Sequence, residues 1–208
     1  MRSQVMLRLY STGSRGVAAA KEALAKFVTE VHSASTVVPA AHVFITDFLK
    51  KKGIPALDVL VNDASIGSES FKETFDVNVV GTVAVTDEAF RPLLTKAKDG
   101  RGAILNISSG LSSIYAYGKG TAPLLLVPAY SAGKVALNSR TAQWTLQEKE
   151  KKSGICVVSI CPVFNATRLS GYTGTSPPSE GCKGIVKAAL EKDGRTGVFF
   201  NKDEDREW

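Results

Sequence analysis

Apolar runs of strand length recur along the chain, each followed by a turn signal: VMLRLY at 5–10, HVFITD at 42–47, LDVLVN at 57–62, AILNIS at 103–108, ICVVSIC at 155–161 and GVFF at 197–200. They are rich in Val, Ile and Leu and nearly continuous, the pattern of strands covered on both faces. Helix-length segments separate them. Residues 17–31 carry Leu24, Phe27, Val28 and Val31 on one face, and 71–97 make a longer stretch interrupted by Gly81 and short of a backbone donor at Pro92. Residues 129–152 begin after Pro128 and end at Gly154, and 179–192 stop before Gly194. Strand, helix, strand in succession predicts an α/β chain folded as one domain over 1–208, with a doubly wound parallel sheet.

The pattern strains in the first third. A parallel crossover needs a dozen or more residues, yet about ten lie between HVFITD and LDVLVN, and three between a possible strand STVV (35–38) and His42. The sheet is therefore expected to be reduced or irregular around residues 32–57, with STVV outside the regular parallel order. Arg8 interrupts the first run, so that strand needs either a partner for the guanidinium or a place at an edge.

Composition narrows the function. The 208 residues suffice for one full core, and no apolar run reaches the ~18 residues of a membrane span. A cytoplasmic chain without a membrane partner is expected, the first residues lacking the apolar stretch of a secretory signal. The net charge of +6 comes from lysines spread along helix-like segments, a pattern of solvated faces and not of nucleic-acid binding. Cys156, Cys161 and Cys182 form no CxxC pair, and His32 and His42 lie far from them, so neither a disulfide framework nor a metal site is expected. No GxSxG elbow is present and neither histidine follows a candidate serine, which disfavours a hydrolase.

The chemistry concentrates in AYSAGK, residues 129–134. Tyr130 and Lys134 are four apart on a helix, so they share one face. A lysine cation close to a tyrosine is expected to favour the phenolate and lower the phenol's pKa, and such a pair can pass a proton to or from a carbonyl oxygen. Strand AILNIS ends in Ser108, Ser109 and Gly110, at the carboxyl end where open α/β sheets bind ligands.

With these residues on one mouth, the chain resembles the short-chain dehydrogenase/reductase family from about Leu57 onward. LDVLVNDA (57–64) is similar to the family's strand and NNAG, DVNVVG (76–81) to the segment of its structural asparagine, ILNISSG (104–110) to that of its serine, and YSAGK (130–134) to its YxxxK. CPVFNATRL (161–169) and the C-terminal segments resemble those of plant and fungal carbonyl reductases. The resemblance implies a Rossmann-like domain with a cofactor half at 1–65 and a catalytic and substrate half at 66–208. It implies Tyr130 as proton donor, Ser109 orienting the carbonyl, Lys134 tuning Tyr130 and binding the nicotinamide ribose, and Asn78 kinking its helix and holding a relay water. Ser112 and Ser113 compete with Ser109, ranked below it because they have left the strand.

For the cofactor, the resemblance implies NADP ahead of NAD. Gly13, Ser14, Arg15 and Gly16 are similar to a TGxxxGxG turn shortened by one residue, with Ala18 for the last glycine, and Arg15 stands where a guanidinium pairs the 2′-phosphate. Asp47, Asn62, Ala64 and Val163 complete the implied set with Tyr130 and Lys134. Asp63, Ser65 and Val163 depart from the family's residues, and twenty residues separate Ser109 from Tyr130, an insertion expected to line the substrate pocket with Ile114, Tyr115, Tyr117 and Leu124 to Leu126. A carbonyl or alcohol small molecule is the implied partner, with monomer or homo-oligomer open. The departures also leave open a member that has lost redox function and acts as an isomerase, a cyclase or a binding protein.

Overall fold

A computed structural model of the chain describes residues 7–10, 47, 51, 53–97, 100–191 and 194–208. Among the described residues six strands form one sheet in the spatial order β1 to β6: Leu7–Tyr10, Val59–Asn62, Ala103–Ile107, Cys156–Ile160, Phe199–Phe200 and Asp205–Arg206. β2, β3, β4 and β5 are parallel, with Leu60 opposite Ile104 and Ile104 opposite Val157. The outermost of the described strands, β1 and β6, run antiparallel to their neighbours.

Side chains alternate strictly between the two faces of the parallel strands. Leu60, Ile104 and Val157 pack with Phe90, Leu94 and Trp144 on one side, while Val61, Leu105 and Val158 pack with Phe200 and with Ile185 and Ala188 on the other. A sheet buried on both faces has no polar face to show, which is why these runs read as continuous apolar stretches. Helices cover it: a helical run α1 at 71–94, α2 at Ile114–Gly118, α3 at Pro128–Lys151 and α4 at Pro178–Glu191.

The first helix differs from its expectation. Ser70 caps it, its hydroxyl accepting from Glu73 N at 3.3 Å, and the run continues through Gly81 without interruption. Two π-helical segments, Asp76–Gly81 and Val85–Phe90, widen it instead. The second ends just before Arg91–Leu94, where Pro92 lacks an amide hydrogen, so the widened turn removes the clash a proline meets inside a regular α-helix.

Two further expectations are corrected. The first apolar run pairs antiparallel with β2, with Leu7 opposite Asn62, because an apolar pattern reads the same in either direction and cannot specify strand orientation. β1 lies at the edge of the sheet among the described residues, the place expected for a strand carrying Arg8. Asp47 is helical and exposed, so the strand read at 42–47 does not reach it. Residues 42–46, STVV, His32 and the 17–31 segment lie outside the described residues.

α1 and α3 are joined by charge as well as by apolar contact. Arg91 pairs with Asp87 and with Glu148, Arg140 pairs with Asp87 at 2.7 Å, and Trp144 Nε1 donates to Asp87 Oδ1 at 2.8 Å. The Glu148 side chain is only 2% exposed and that of Arg91 12%, so neither charge is solvated except by its partner.

Candidate active site

The parallel strands end at one edge of the sheet, and the predicted catalytic residues converge there. Ser108 follows β3 and is buried, with its hydroxyl 2.7 Å from Asn138 Oδ1 and 3.0 Å from Ser112 Oγ. The Ser109 hydroxyl accepts from Leu111 N at 3.2 Å and lies close enough to Tyr130 to favour its phenolate. Ser112 is held by Ser109 O and Asn138, and Ser113 donates to Glu207 O while capping α2, so both competing serines are engaged in structure.

α3 presents Tyr130 and Lys134 one turn apart, with Nζ 5.7 Å from the centre of the tyrosine ring. Lys134 is 2% exposed and donates to Ile107 O at 2.7 Å. Burial disfavours its charged form and lowers its pKa to about 8, against the pull of Asp63, which favours the ammonium. For Tyr130 the expected lowering is reversed: its pKa is pushed up to about 12. Burial is the main cause and Cys161 and Asp63 add to it, outweighing the nearby hydroxyls of Ser109 and Ser65, which favour the phenolate. The sequence shows the lysine four residues away, but desolvation depends on what the tertiary fold packs around the hydroxyl.

Asn78 lies in the first π-segment and is 1% exposed. Its carboxamide clamps one residue of the loop after β2, Oδ1 accepting from Ile66 N at 2.8 Å and Nδ2 donating to Ile66 O at 2.9 Å. The side chain expected to hold a relay water is thus engaged with the loop. Gly133, between Tyr130 and Lys134, permits this approach, since a methyl there would stand 3.3 Å from Thr74 Cγ2 and 3.8 Å from Asn78 Cβ. The clamp fixes the neighbour of Ser65, whose buried Oγ completes no hydrogen bond of good geometry within the described protein and lies close enough to Tyr130 to favour its phenolate.

Ser65 and Asp63 are the site residues that sequence reading passed over. Their only signal was that they stood where NNAG has Gly and Asn, which marks a departure without giving it a direction. The structure brings the hydroxyl of Ser65 close to Tyr130 and the carboxylate of Asp63 near both Tyr130 and Lys134.

Among the implied cofactor residues, Asn62 turns inward. Its Nδ2 donates to Thr86 Oγ1 at 3.0 Å and to Asn106 Oδ1 at 2.8 Å, so both amide hydrogens serve a buried polar row that continues to Thr141 and Ser159. Ala64 is half-buried in the loop after β2, Asp47 is exposed, and Gly13, Ser14, Arg15 and Gly16 lie outside the described residues. Val163 follows β4 with φ +61°, a left-handed conformation that costs a β-branched residue most. Val163→Gly is expected to raise the unfolding free energy by about 1 kcal/mol, since left-handed backbone penalises an L side chain by roughly that much. A later urea midpoint with an unchanged slope is the check.

The insertion before α3 departs from expectation. Leu124 and Leu126 are 92% and 90% exposed, and Ile114, Tyr115 and Tyr117 are exposed too, so these side chains face solvent instead of closing a pocket. A short apolar segment in an irregular loop carries no periodicity to say which way it faces.

Comparison with known proteins agrees with this architecture. The family model described as short chain dehydrogenase matches residues 5–177. Short-chain dehydrogenase anuI of Penicillium roqueforti is 34% identical over 165 residues, 73% of this chain but only 64% of that protein's own length. Among solved structures, the NADPH-bound carbonyl reductase from chicken fatty liver superposes with TM-score 0.69 at 23% identity, covering 96% of this chain and 85% of that one. Carbonyl reductase Sniffer of D. melanogaster gives TM-score 0.70 at 22% identity, covering 91% and 84%. At these identities the two structures speak for the fold, whereas the family model spans most of the sequence. The chain belongs to the short-chain dehydrogenase family.

Proposed function

We propose that the protein is an NADP-dependent oxidoreductase that reduces the carbonyl group of a small ketone or aldehyde. The observation that carries this reading is the Tyr130 phenol, held protonated by burial, in hydrogen-bonding reach of Ser109 and one helical turn from a buried lysine. A neutral phenol is the form that donates a proton, so the site as it stands favours reduction over alcohol oxidation.

The residues present fit a nicotinamide cofactor. Lys134 has three N–H donors and Ile107 O takes one, which leaves donors for ribose hydroxyls at the carboxyl edge of the parallel strands. NADPH, when bound, supplies the hydride. Gly13, Ser14, Arg15 and Gly16 would meet its phosphates, with Arg15 toward the 2′-phosphate, and Asp47, Asn62, Ala64 and Val163 would border the rest. Ser109 orients the substrate oxygen. As the carbonyl carbon gains its new C–H bond, the π electrons move to oxygen, and that oxygen takes the Tyr130 proton to give the alcohol. The resulting phenolate is reprotonated through water, which we assign to the main chain of the Asn78 π-segment because the Asn78 amide is occupied.

Reduced-nicotinamide fluorescence tests the reading. NADPH is expected to shift and brighten on mixing with the protein, and more strongly at equal concentration than NADH. A protein folded by circular dichroism that leaves both unchanged at millimolar concentration would overturn it and favour a family member without redox function.

A further inference from the structure

The insertion before α3 forms an apolar lip. Leu124, Leu125, Leu126 and Val127 are all exposed, with Ile114 64% and Leu124 92% accessible. Contiguous exposed apolar side chains mark an interaction surface more often than chance. Pocket-lining residues sit in a concavity and are half-covered, whereas Leu124 and Leu126 project into bulk solvent.

Charge and backbone indicate what covers the lip. No Asp or Glu lies between Asp99 and Glu148 in sequence, so the lip carries no carboxylate of its own. Its one cation, Lys119, is exposed and lies 5.7 Å from the centre of the Tyr115 ring. Leucines at the tip with tyrosines and a lysine beside them form the composition of an interfacial segment, with apolar groups below the headgroups and amphipathic groups among them.

The backbone suits shallow insertion. Leu125 N donates to Pro123 O and Val127 N to Leu125 O, both at 2.9 Å, and Thr121 N and Ala122 N donate to Ala116 O. These bonds close part of the tip's backbone, which limits insertion to the headgroup depth where water and lipid polar groups meet the rest. Its base is anchored apart from the tip, Tyr115 N donating to Trp208 O at 3.0 Å and Ser113 Oγ to Glu207 O at 2.7 Å. Glu207 is exposed and is the acid nearest that base through these contacts.

We propose that this lip docks the protein on an anionic membrane surface, with Leu124 and Leu126 as the inserting side chains and Lys119 meeting lipid headgroups. This revises the expectation of no membrane partner, which rested on the lack of a spanning segment. Docking is peripheral, and no described helix is long and apolar enough to cross a bilayer. The proposal is independent of the redox reading. Where both hold, the lip sits on the segment leading into the Tyr130 helix, and lipid-dissolved carbonyl compounds become the accessible substrates.

Sedimentation with vesicles tests it. Wild-type protein is expected to pellet with phosphatidylcholine vesicles containing phosphatidylserine and much less with phosphatidylcholine alone. The double variant Leu124→Ser with Leu126→Ser is expected to lose at least about tenfold in partitioning, because each leucine moved out of water is worth about that factor. Lys119→Gln is expected to lose about fivefold, the weight of one cation at an anionic surface. Both changes lie at exposed loop positions, and circular dichroism checks that the fold is retained. Absence of wild-type pelleting, or pelleting that survives the double serine change, overturns the proposal. So does a wild-type dimer that fails to pellet and becomes monomeric in the double variant, which would assign the lip to a second copy.

Discussion

Tyr130→Phe is expected to lower the kcat for carbonyl reduction by about 10³-fold, within the span attributed to a positioned general acid. KM should change little, because the hydroxyl acts when the oxygen gains charge and adds little to ground-state binding. The ring remains, so Lys134 keeps its place beside it and circular dichroism and thermal unfolding should stay near wild type. Substantial turnover by this variant would remove Tyr130 from the proton-donor role. The pH dependence gives a second reading. With the phenol pKa pushed to about 12 and its proton held well above neutrality, reduction should show no loss assignable to Tyr130 between pH 6 and 9. Alcohol oxidation needs the phenolate and should climb across the same interval. Lys134, titrating at about 8, is the described site group expected to change charge there, and a bend in the reduction profile near that value would report it.

Glu148→Ala is expected to destabilise the protein by roughly 3–5 kcal/mol, the usual cost of removing one partner from a buried ion pair. The reason is the guanidinium left behind. Arg91 keeps Asp87, but the Glu148 side is closed from water, and no solvent replaces the lost carboxylate. Glu148→Gln restores an acceptor without the charge and should recover part of the loss. Joint replacement, Arg91→Met with Glu148→Leu, should be far milder than either charge deletion, because apolar residues of similar volume avoid desolvation altogether. Urea unfolding with a constant slope measures all three. A Glu148→Ala loss below about 1 kcal/mol would place this pair in the surface class despite its burial.

Some features were legible because their signal is local. The apolar runs at 57–62, 103–108 and 155–161 appear as β2, β3 and β4, and Pro128 opens α3 where a proline at the first turn predicts it. Tyr130 and Lys134 share a face because a helix repeats every 3.6 residues, whatever surrounds it. Other features depend on distant contacts. The Asn78 clamp on Ile66 joins residues twelve apart through a π-segment, and no residue type announces a π-turn. Ser65 and Asp63 read as deviations until the loop that carries them closed on Tyr130.

By itself the sequence determined the alternation of strands and helices, the four motifs in family order, and the tyrosine–lysine face, since each is a matter of spacing along one element. Tertiary structure alone decided the direction of β1, the outward turn of the apolar lip and the raised pKa of Tyr130. The physical reason is the same for all three. Strand pairing, exposure and desolvation are set by neighbours brought from elsewhere in the chain, and a half-buried phenol among Ser109, Ser65, Cys161 and Asp63 answers to that company more than to the lysine four residues along its own helix.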